Sequence, residues 1–208
     1  MPTYSVFLRG INVGGTRIAM KDLAGALTTA GYTRVSTLLA SGNVVLDADT
    51  ADAAALKADV EAVLRERFGY EAWVIVVPPE RLAAIVEAYP FAAVADEVPR
   101  HDYVVFAAAP SAVADVLAAG PEPVDGERFA AGEQVLYWQV PRGSSLDTPL
   151  AKELGRARHK PVLTTRNLNT LHKVLARAGA RGDGGRPGLR RVRPAGAPRR
   201  RPRSAGGR

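Results

Sequence analysis

A glycine-containing segment follows the first apolar stretch of the chain, where backbone amides could hold an anion. It runs from Leu8 to Thr16 and reads LRGINVGGT, with Gly14 and Gly15 just before its last residue. N–H groups exposed by such a turn form an anion-binding concavity. The segment fits neither G-x-G-x-x-G nor a P-loop, because Thr16 stands where a P-loop requires its phosphate-binding lysine. A left-handed turn that needs glycine for positive φ is the structural alternative.

Four polar residues in or after this segment are candidates for binding or chemistry. Arg9 lies in an apolar strand and therefore needs a partner or an exit to water. Asn12 adds an amide to the glycine segment. Ser41 and Asn43 flank a glycine and are ordinary hairpin-turn residues. A serine nucleophile would need a base, and none is adjacent in the sequence.

A second polar segment opens the last predicted helix. It reads TTRNLNT over residues 164–170, and Lys173 follows. Thr165 or Asn167 can cap the helix. A positive charge such as that of Arg166 is unfavourable beside a helix N-terminus, because that end of the helix dipole is itself positive. The placement is favourable if the arginine and the free N–H groups bind the same anion. An ion pair with a distant acid explains Arg166 equally well.

These residues lie at strand ends and at a helix start, where folds of this kind place binding sites. Our leading hypothesis is a binding protein for a small anionic ligand, such as a nucleotide or another phosphate-bearing metabolite, held in a cleft between two subdomains. It predicts that Arg9 and Arg166 lie close together on a concave surface. The candidate ligand-binding residues are Arg9, Asn12, Gly14, Gly15, Ser41, Asn43, Arg166, Asn167 and Lys173.

Two other classes of function stay open. In an enzyme, Arg9, Arg166 and Lys173 would stabilise developing negative charge in the same cleft, while Ser41 or a histidine handled a proton. No base–nucleophile pair is visible, so the catalytic residues and any cofactor are unassigned. A nucleic-acid or protein interaction module would use aromatic side chains on a sheet, but the predicted strands offer few exposed ones.

The three histidines are scattered, and no metal-ligand spacing or paired carboxylates occur. We therefore predict no metal site.

The net charge of +7 belongs to one end of the chain. Residues 177–208 hold 11 arginines and one acid, whereas the preceding residues hold 17 basic and 20 acidic side chains. The body is thus mildly acidic, which argues against a basic nucleic-acid surface. The end segment has too few apolar side chains to fold, so we predict a disordered tail over 179–208. Weak nucleic-acid contact through this tail is one hypothesis, and an incidental extension is the other.

The chain has no cysteine, which fits a reducing compartment. No apolar run is long enough to cross a membrane, and the first residues do not resemble a secretory leader. We therefore expect a cytoplasmic protein without a membrane partner.

The elements that position the candidate residues follow from hydrophobic periodicity. Met20, Leu23 and Leu27 recur at helical spacing, and a second helical stripe follows Asp52. The order β-α-β-β-α-β appears twice, which predicts an α+β fold of two ferredoxin-like subdomains over residues 1–78 and 79–178. The predicted strands are 4–11, 33–40, 43–48, 72–77, 102–108, 126–131, 134–140 and 162–163, and the second half adds a connecting helix, helices over 111–119 and 148–156, and a final helix that ends at Gly179.

The combined motifs resemble the bacterial family catalogued as domain of unknown function 1697. The resemblance spans about residues 3–176 and implies two ferredoxin-like subdomains in one compact unit, but no activity. One departure is the tripeptide at 144–146, Ser-Ser-Leu, where the family usually has a Ser-Lys-Leu-like sequence. If that lysine served a shared anion site, this chain has lost one positive contact. The matching residues are Tyr4, Leu8 to Gly15, Met20, Leu23, Gly31, Val35, Thr37, Ser41 to Val45, Thr165 to Asn167, Asn169 and Thr170.

Overall fold

The protein is described from a computed structural model over residues 1–12, 17–69, 71–92 and 98–180. The predicted tail over 179–208 lies outside the described residues except for Gly179 and Ala180, which belong to the last helix and its C-terminal cap. Within the described part, no helix is both long and apolar enough to span a bilayer.

The first half of the chain folds into one antiparallel sheet with two helices, which we call the N-terminal unit. Counted along the chain, its strands stand side by side in the order second, third, first and fourth, as expected for a ferredoxin-like unit. Its elements are β1 (Thr3–Arg9), α1 (Met20–Thr29), β2 (Thr33–Leu38), β3 (Asn43–Asp47), α2 (Ala53–Phe68) and β4 (Trp73–Val77).

Local sequence signals explain where α2 begins and ends. The Asp52 carboxylate accepts hydrogen bonds from two backbone N–H groups of the first turn, a cap that contributes about 1 kcal/mol. Gly69 ends the helix in a left-handed conformation at φ 66°. Leu56, Val60 and Leu64 bury one face of the helix against the sheet.

The second half repeats the arrangement, and we call it the C-terminal unit. Counted along this half, its strands again stand in the order second, third, first and fourth, as in the first sheet. This repetition confirms the predicted fold class. The elements are β5 (Arg100–Ala107), α4 (Ser111–Ala118), β6 (Arg128–Gly132), β7 (Val135–Pro141), α5 (Pro149–Leu154), a short 3₁₀ turn (Ala157–His159) and β8 (Leu163–Asn167).

Two further helices lie where the units meet. They are α3 (Pro79–Glu87), which connects the units, and α6 (Leu168–Gly179), which follows β8. Each unit has an outer core between its sheet and its own helices. A third cluster, the central core, joins the inner faces of both sheets with α3 and α6. The Phe7 and Phe106 rings meet there at 4.9 Å between centroids.

Alternation along the strands decides which side chains enter the layer between the sheets. Leu8 of β1 belongs to the outer core and Phe7 to the central core, so Arg9 shares the inner face with Phe7. On β8, Arg166 stands opposite Val104, a member of the central core. Directly opposed residues of an antiparallel pair share a face. Both arginines therefore enter the same layer.

Candidate functional site

The guanidinium of Arg166 is buried and crosses from the C-terminal unit to the N-terminal unit. The side chain is 8% exposed. One terminal nitrogen donates to the backbone oxygen of Leu8 and, at 3.4 Å, to that of Gly42. The group also lies over the Phe7 ring, 5.5 Å from its centroid. Arg166 thus binds the end of β1 and the turn between β2 and β3.

Arg9 makes the reverse crossing. Its terminal nitrogens donate to the backbone oxygen of Leu163, at the start of β8, and to that of Leu154 at 3.2 Å, at the end of α5. The side chain is only half-buried. The two units therefore exchange arginines, and each guanidinium binds carbonyls of the opposite unit.

Arg9 and Arg166 form what we call the arginine pair, and their charges are not compensated locally. Neither forms an ion pair with a carboxylate in the described residues. Burial and, to a smaller extent, the nearby charge of Arg9 lower the pKa of Arg166 to about 10. Burial also lowers the pKa of Arg9. Both pKa shifts indicate that the two guanidinium groups lie in an environment that disfavours their protonated form.

Three buried polar atoms on the inner faces of the sheets lack a hydrogen-bond partner among the described residues. They are Arg166 Nε, Asn43 Oδ1 and Ser5 Oγ. Asn43 stands opposite Phe7 on the neighbouring strand, so it faces the same layer as the arginine pair. Unpaired buried polar groups are uncommon in folded proteins, and their clustering singles out this layer.

Ser41 and Asn43 maintain the turn that receives Arg166. The Asn43 amide donates to Leu38 O at 2.9 Å and to Ser41 Oγ at 3.0 Å. Gly42 has a φ of 73°, and a Cβ there would lie 2.7 Å from a side-chain atom of Ile11. The turn therefore requires glycine. Its carbonyl accepts from both Leu8 N and Arg166.

The Asn12 side chain makes hydrogen bonds with a residue on the far side of the segment that contains Gly14 and Gly15. Its amide nitrogen donates to Ala40 O at 2.6 Å and to Ile18 O at 3.2 Å, and its oxygen accepts from Ile18 N at 3.0 Å. These bonds join the ends of the segment and attach it to the β2–β3 turn. Gly14 and Gly15 lie outside the described residues.

Two predicted site residues do not join the arginine pair. Asn167 caps α6 by accepting from Asn169 N at 2.9 Å. It stands opposite Tyr103, which packs against the outer core of the C-terminal unit, so its side chain is on the other face of the sheet from Arg166. Lys173 is exposed on α6, turned away from the buried residue Leu171.

Of the two predicted caps of the final helix, Asn167 is the one observed, and Arg166 precedes it as a strand residue rather than opening the helix. The strand expected at 162–163 is β8, which extends through Asn167, and the helix begins at Leu168. These polar residues remain in the strand because they pair in register with residues of β5, such as Val104 opposite Arg166. The partners of the Arg166 side chain are carbonyls of the N-terminal unit and not the start of this helix.

Trp73 is a neighbour of the arginine pair that periodicity did not single out. It is the first residue of β4 and stands opposite Arg9, the last residue of β1. The two side chains therefore leave the same end of the same face of the sheet. Trp73 is half-buried. The sequence feature that could have indicated Trp73 is a tryptophan near the start of a predicted strand.

In the described residues, none of the three histidines is a hydrogen-bond or ion-pair partner of the arginine pair or of Trp73. His159 is buried, and its Nε2 is 2.8 Å from a Glu153 carboxylate oxygen. His101 packs against the ring of Tyr103, and His172 is exposed on α6. No histidine is a hydrogen-bond partner of Ser41 in the described residues.

Four surface grooves of about 290 to 680 Å³ lie in the described part of the protein. None of these four is lined by Arg9, Arg166, His101 or His172.

Comparison with known proteins places the chain in a family. A conserved bacterial protein from Streptococcus pneumoniae is similar in structure, with a TM-score of 0.68 and 24% sequence identity, over 85% of this chain and 98% of that one. This likeness shows the fold. An unknown protein from Galdieria sulphuraria, at a TM-score of 0.24 and 13% identity over 80% of this chain and 96% of that one, is too dissimilar to support a conclusion. Among curated proteins, no relative matches. The profile of a family described as a protein of unknown function matches residues 1–137, and the chain therefore belongs to this family, DUF1697.

Proposed function

We propose that the protein binds a small anionic ligand beside Arg9 and Arg166, at the edge of the layer between the two units. The observation that carries the proposal is the arginine pair itself, two neighbouring guanidinium groups without a carboxylate partner in the described residues. Like charges that are partly removed from water disfavour each other's charged form. An anion placed beside them relieves this repulsion.

The two arginines have different roles in this proposal. Arg166 is buried and its terminal nitrogens are bound to carbonyls, so it contributes mainly its charge. Arg9 is half-buried, and each of its terminal nitrogens has a second N–H group besides the one that donates to a described carbonyl. Arg9 is therefore the residue that contacts the ligand.

The ligand class follows from guanidinium chemistry. A planar guanidinium with free N–H groups matches the oxygen atoms of phosphate, and it does so more specifically than a lysine ammonium. We therefore propose a phosphate-bearing ligand. Asn12, Ser41 and Asn43 shape the loop and turn beside it, while Asn167 and Lys173 are left out. The described residues offer no base beside Ser41, so binding is favoured over catalysis.

Thermal unfolding of the full chain with inorganic phosphate and with pyrophosphate tests the proposal. A ligand at 100 times its Kd should stabilise the protein by about 2.7 kcal/mol. Arg9→Gln should lower the melting temperature without ligand, because the bonds to Leu163 and Leu154 are lost. It should also remove the increase that pyrophosphate causes.

Arg177→Gln is a matched control, because Arg177 is an exposed arginine on α6. This variant should keep the full ligand-induced increase. No increase in the wild type, or equal increases in the wild type and Arg9→Gln, would contradict the proposal.

A further inference from the structure

We infer that Trp73 is an aromatic platform next to the phosphate position, so that the ligand is a nucleotide-like molecule with a ring as well as a phosphate. This inference rests on the proposed function. Arg9 and Trp73 are directly opposed residues in neighbouring strands. The Cβ atoms of such pairs lie about 4.5–5.5 Å apart. One compact ligand can therefore contact both side chains.

Trp73 is placed for a partner outside the protein's own cores. Ile75 and Val77, on the same strand and face, are buried in the central core. Trp73 is absent from the buried and partly buried members of all three cores. Trp73 lies on the edge strand β4, at the end where β1 finishes, and the residue is only half-buried.

The second tryptophan provides the contrast. Trp138 is 3% exposed, and its indole N–H donates to Glu127 at 2.7 Å within the C-terminal unit. A buried tryptophan with a satisfied N–H is typical of a structural residue. Trp73 is half-buried, and its indole N–H has no hydrogen-bond acceptor among the residues that the structure describes. It is the tryptophan beside the arginine pair.

Charge and ring together define the ligand class. Arg9 and Arg166 address the phosphate, while a base stacks on an aromatic side chain through its π face. Stacking tolerates different bases because each base has such a face. We therefore expect nucleoside monophosphates to bind more tightly than inorganic phosphate, with little discrimination among bases by Trp73 itself.

Intrinsic fluorescence of the full chain measures this directly, since the chain has two tryptophans. Adenosine monophosphate should quench the wild type in a saturable way, and Trp138→Phe, the matched control, should keep that quenching. Trp73→Phe should lose it while retaining most of the affinity, because phenylalanine also stacks. Trp73→Ala should bind adenosine monophosphate about tenfold more weakly by calorimetry. Its affinity for pyrophosphate should not change.

The outcomes separate this inference from the proposed function. One outcome disproves the platform and leaves anion binding intact. In that outcome pyrophosphate binds, adenosine monophosphate does not quench Trp73 fluorescence, and Trp73→Ala binds adenosine monophosphate as tightly as the wild type does. If adenosine binds as tightly as its monophosphate, the ring alone is recognised and the arginine pair has no role in binding. If neither phosphate compound binds, both proposals fail. Trp138 fluorescence and thermal unfolding verify that each Trp73 variant is folded.

Discussion

Two polar clusters of this protein treat buried charge in opposite ways. In the C-terminal unit, the buried carboxylate of Glu153 is surrounded by one histidine and two arginines. It contacts His159 Nε2 at 2.8 Å, Arg156 Nε at 2.8 Å and the guanidinium of Arg158. The His159 hydrogen bond is the main cause that lowers the pKa of the Glu153 carboxyl, and the arginines lower it further. This cluster balances its buried charge with its own residues.

The arginine pair lacks that balance. Arg9 and Arg166 are held by backbone carbonyls, whose partial charges satisfy N–H groups without cancelling a unit charge. The difference suggests separate roles, since a compensated cluster needs nothing from outside, whereas a concentration of one sign of charge attracts an ion of the other. The comparison thus separates a structural ion cluster from a candidate binding site.

The largest expected effect comes from removing the buried arginine. Arg166→Ala leaves the carbonyls of Leu8 and Gly42 without this donor and opens a cavity beside Phe7. We expect a loss of about 3 kcal/mol in the free energy of unfolding, measured by urea denaturation, because bonds from charged donors contribute more than neutral ones. Arg166→Met, which keeps most of the volume, should lose less. A loss below about 1 kcal/mol in the alanine variant would mean that Arg166 does not join the units.

A smaller effect is expected at the turn that accepts Arg166. Gly42→Ala places a Cβ 2.7 Å from an Ile11 side-chain atom and 2.9 Å from Leu8 Cβ, at a φ that disfavours alanine. We expect a loss of about 2 kcal/mol in urea denaturation. Gly25→Ala is a matched control inside α1, where a Cβ meets nothing within 4 Å, and it should stabilise slightly. Equal effects of the two substitutions would contradict the close packing of the turn.

The smallest effect, and the one that depends on pH, is expected at the compensated cluster. Because the folded-state pKa of Glu153 is lowered, its contribution to stability is complete above the unfolded-state pKa and is lost as pH falls through the folded-state value. Glu153→Gln should therefore be less stable than the wild type at neutral pH, by about 1–2 kcal/mol. The difference in the free energy of unfolding between Glu153→Gln and the wild type should become smaller as the pH falls below about 4. A pH-independent difference in urea denaturation would show that the charge of Glu153 is unimportant.

Most of the fold could be predicted from the sequence because its signals are local. Strand alternation, the cap at Asp52 and the end of the final helix at Gly179 gave the two repeated units, with most strand ends within two residues. The exception was β8, where the polar run from Thr164 to Asn167 has no apolar alternation of its own. Its strand structure comes from pairing with β5, which is not visible in the local sequence.

The candidate site could be predicted only in part. Arg9 and Arg166 were chosen because each was unusual in its segment, and in the structure each donates to carbonyls of the opposite unit. Their carbonyl partners in the opposite unit lie more than 120 residues away in the chain, so local pattern does not reveal them. For the same reason, the register that sets Trp73 opposite Arg9 could not be read from an apolar run.

Calorimetric titration of pyrophosphate into the wild type, Arg9→Gln and Glu153→Gln tests most directly whether an uncompensated charge marks the binding site. We predict that the wild type and Glu153→Gln bind with the same affinity and that Arg9→Gln binds at least about tenfold more weakly, a difference of about 1.4 kcal/mol. Absence of binding to the wild type, or equal affinities for all three proteins, would contradict the account.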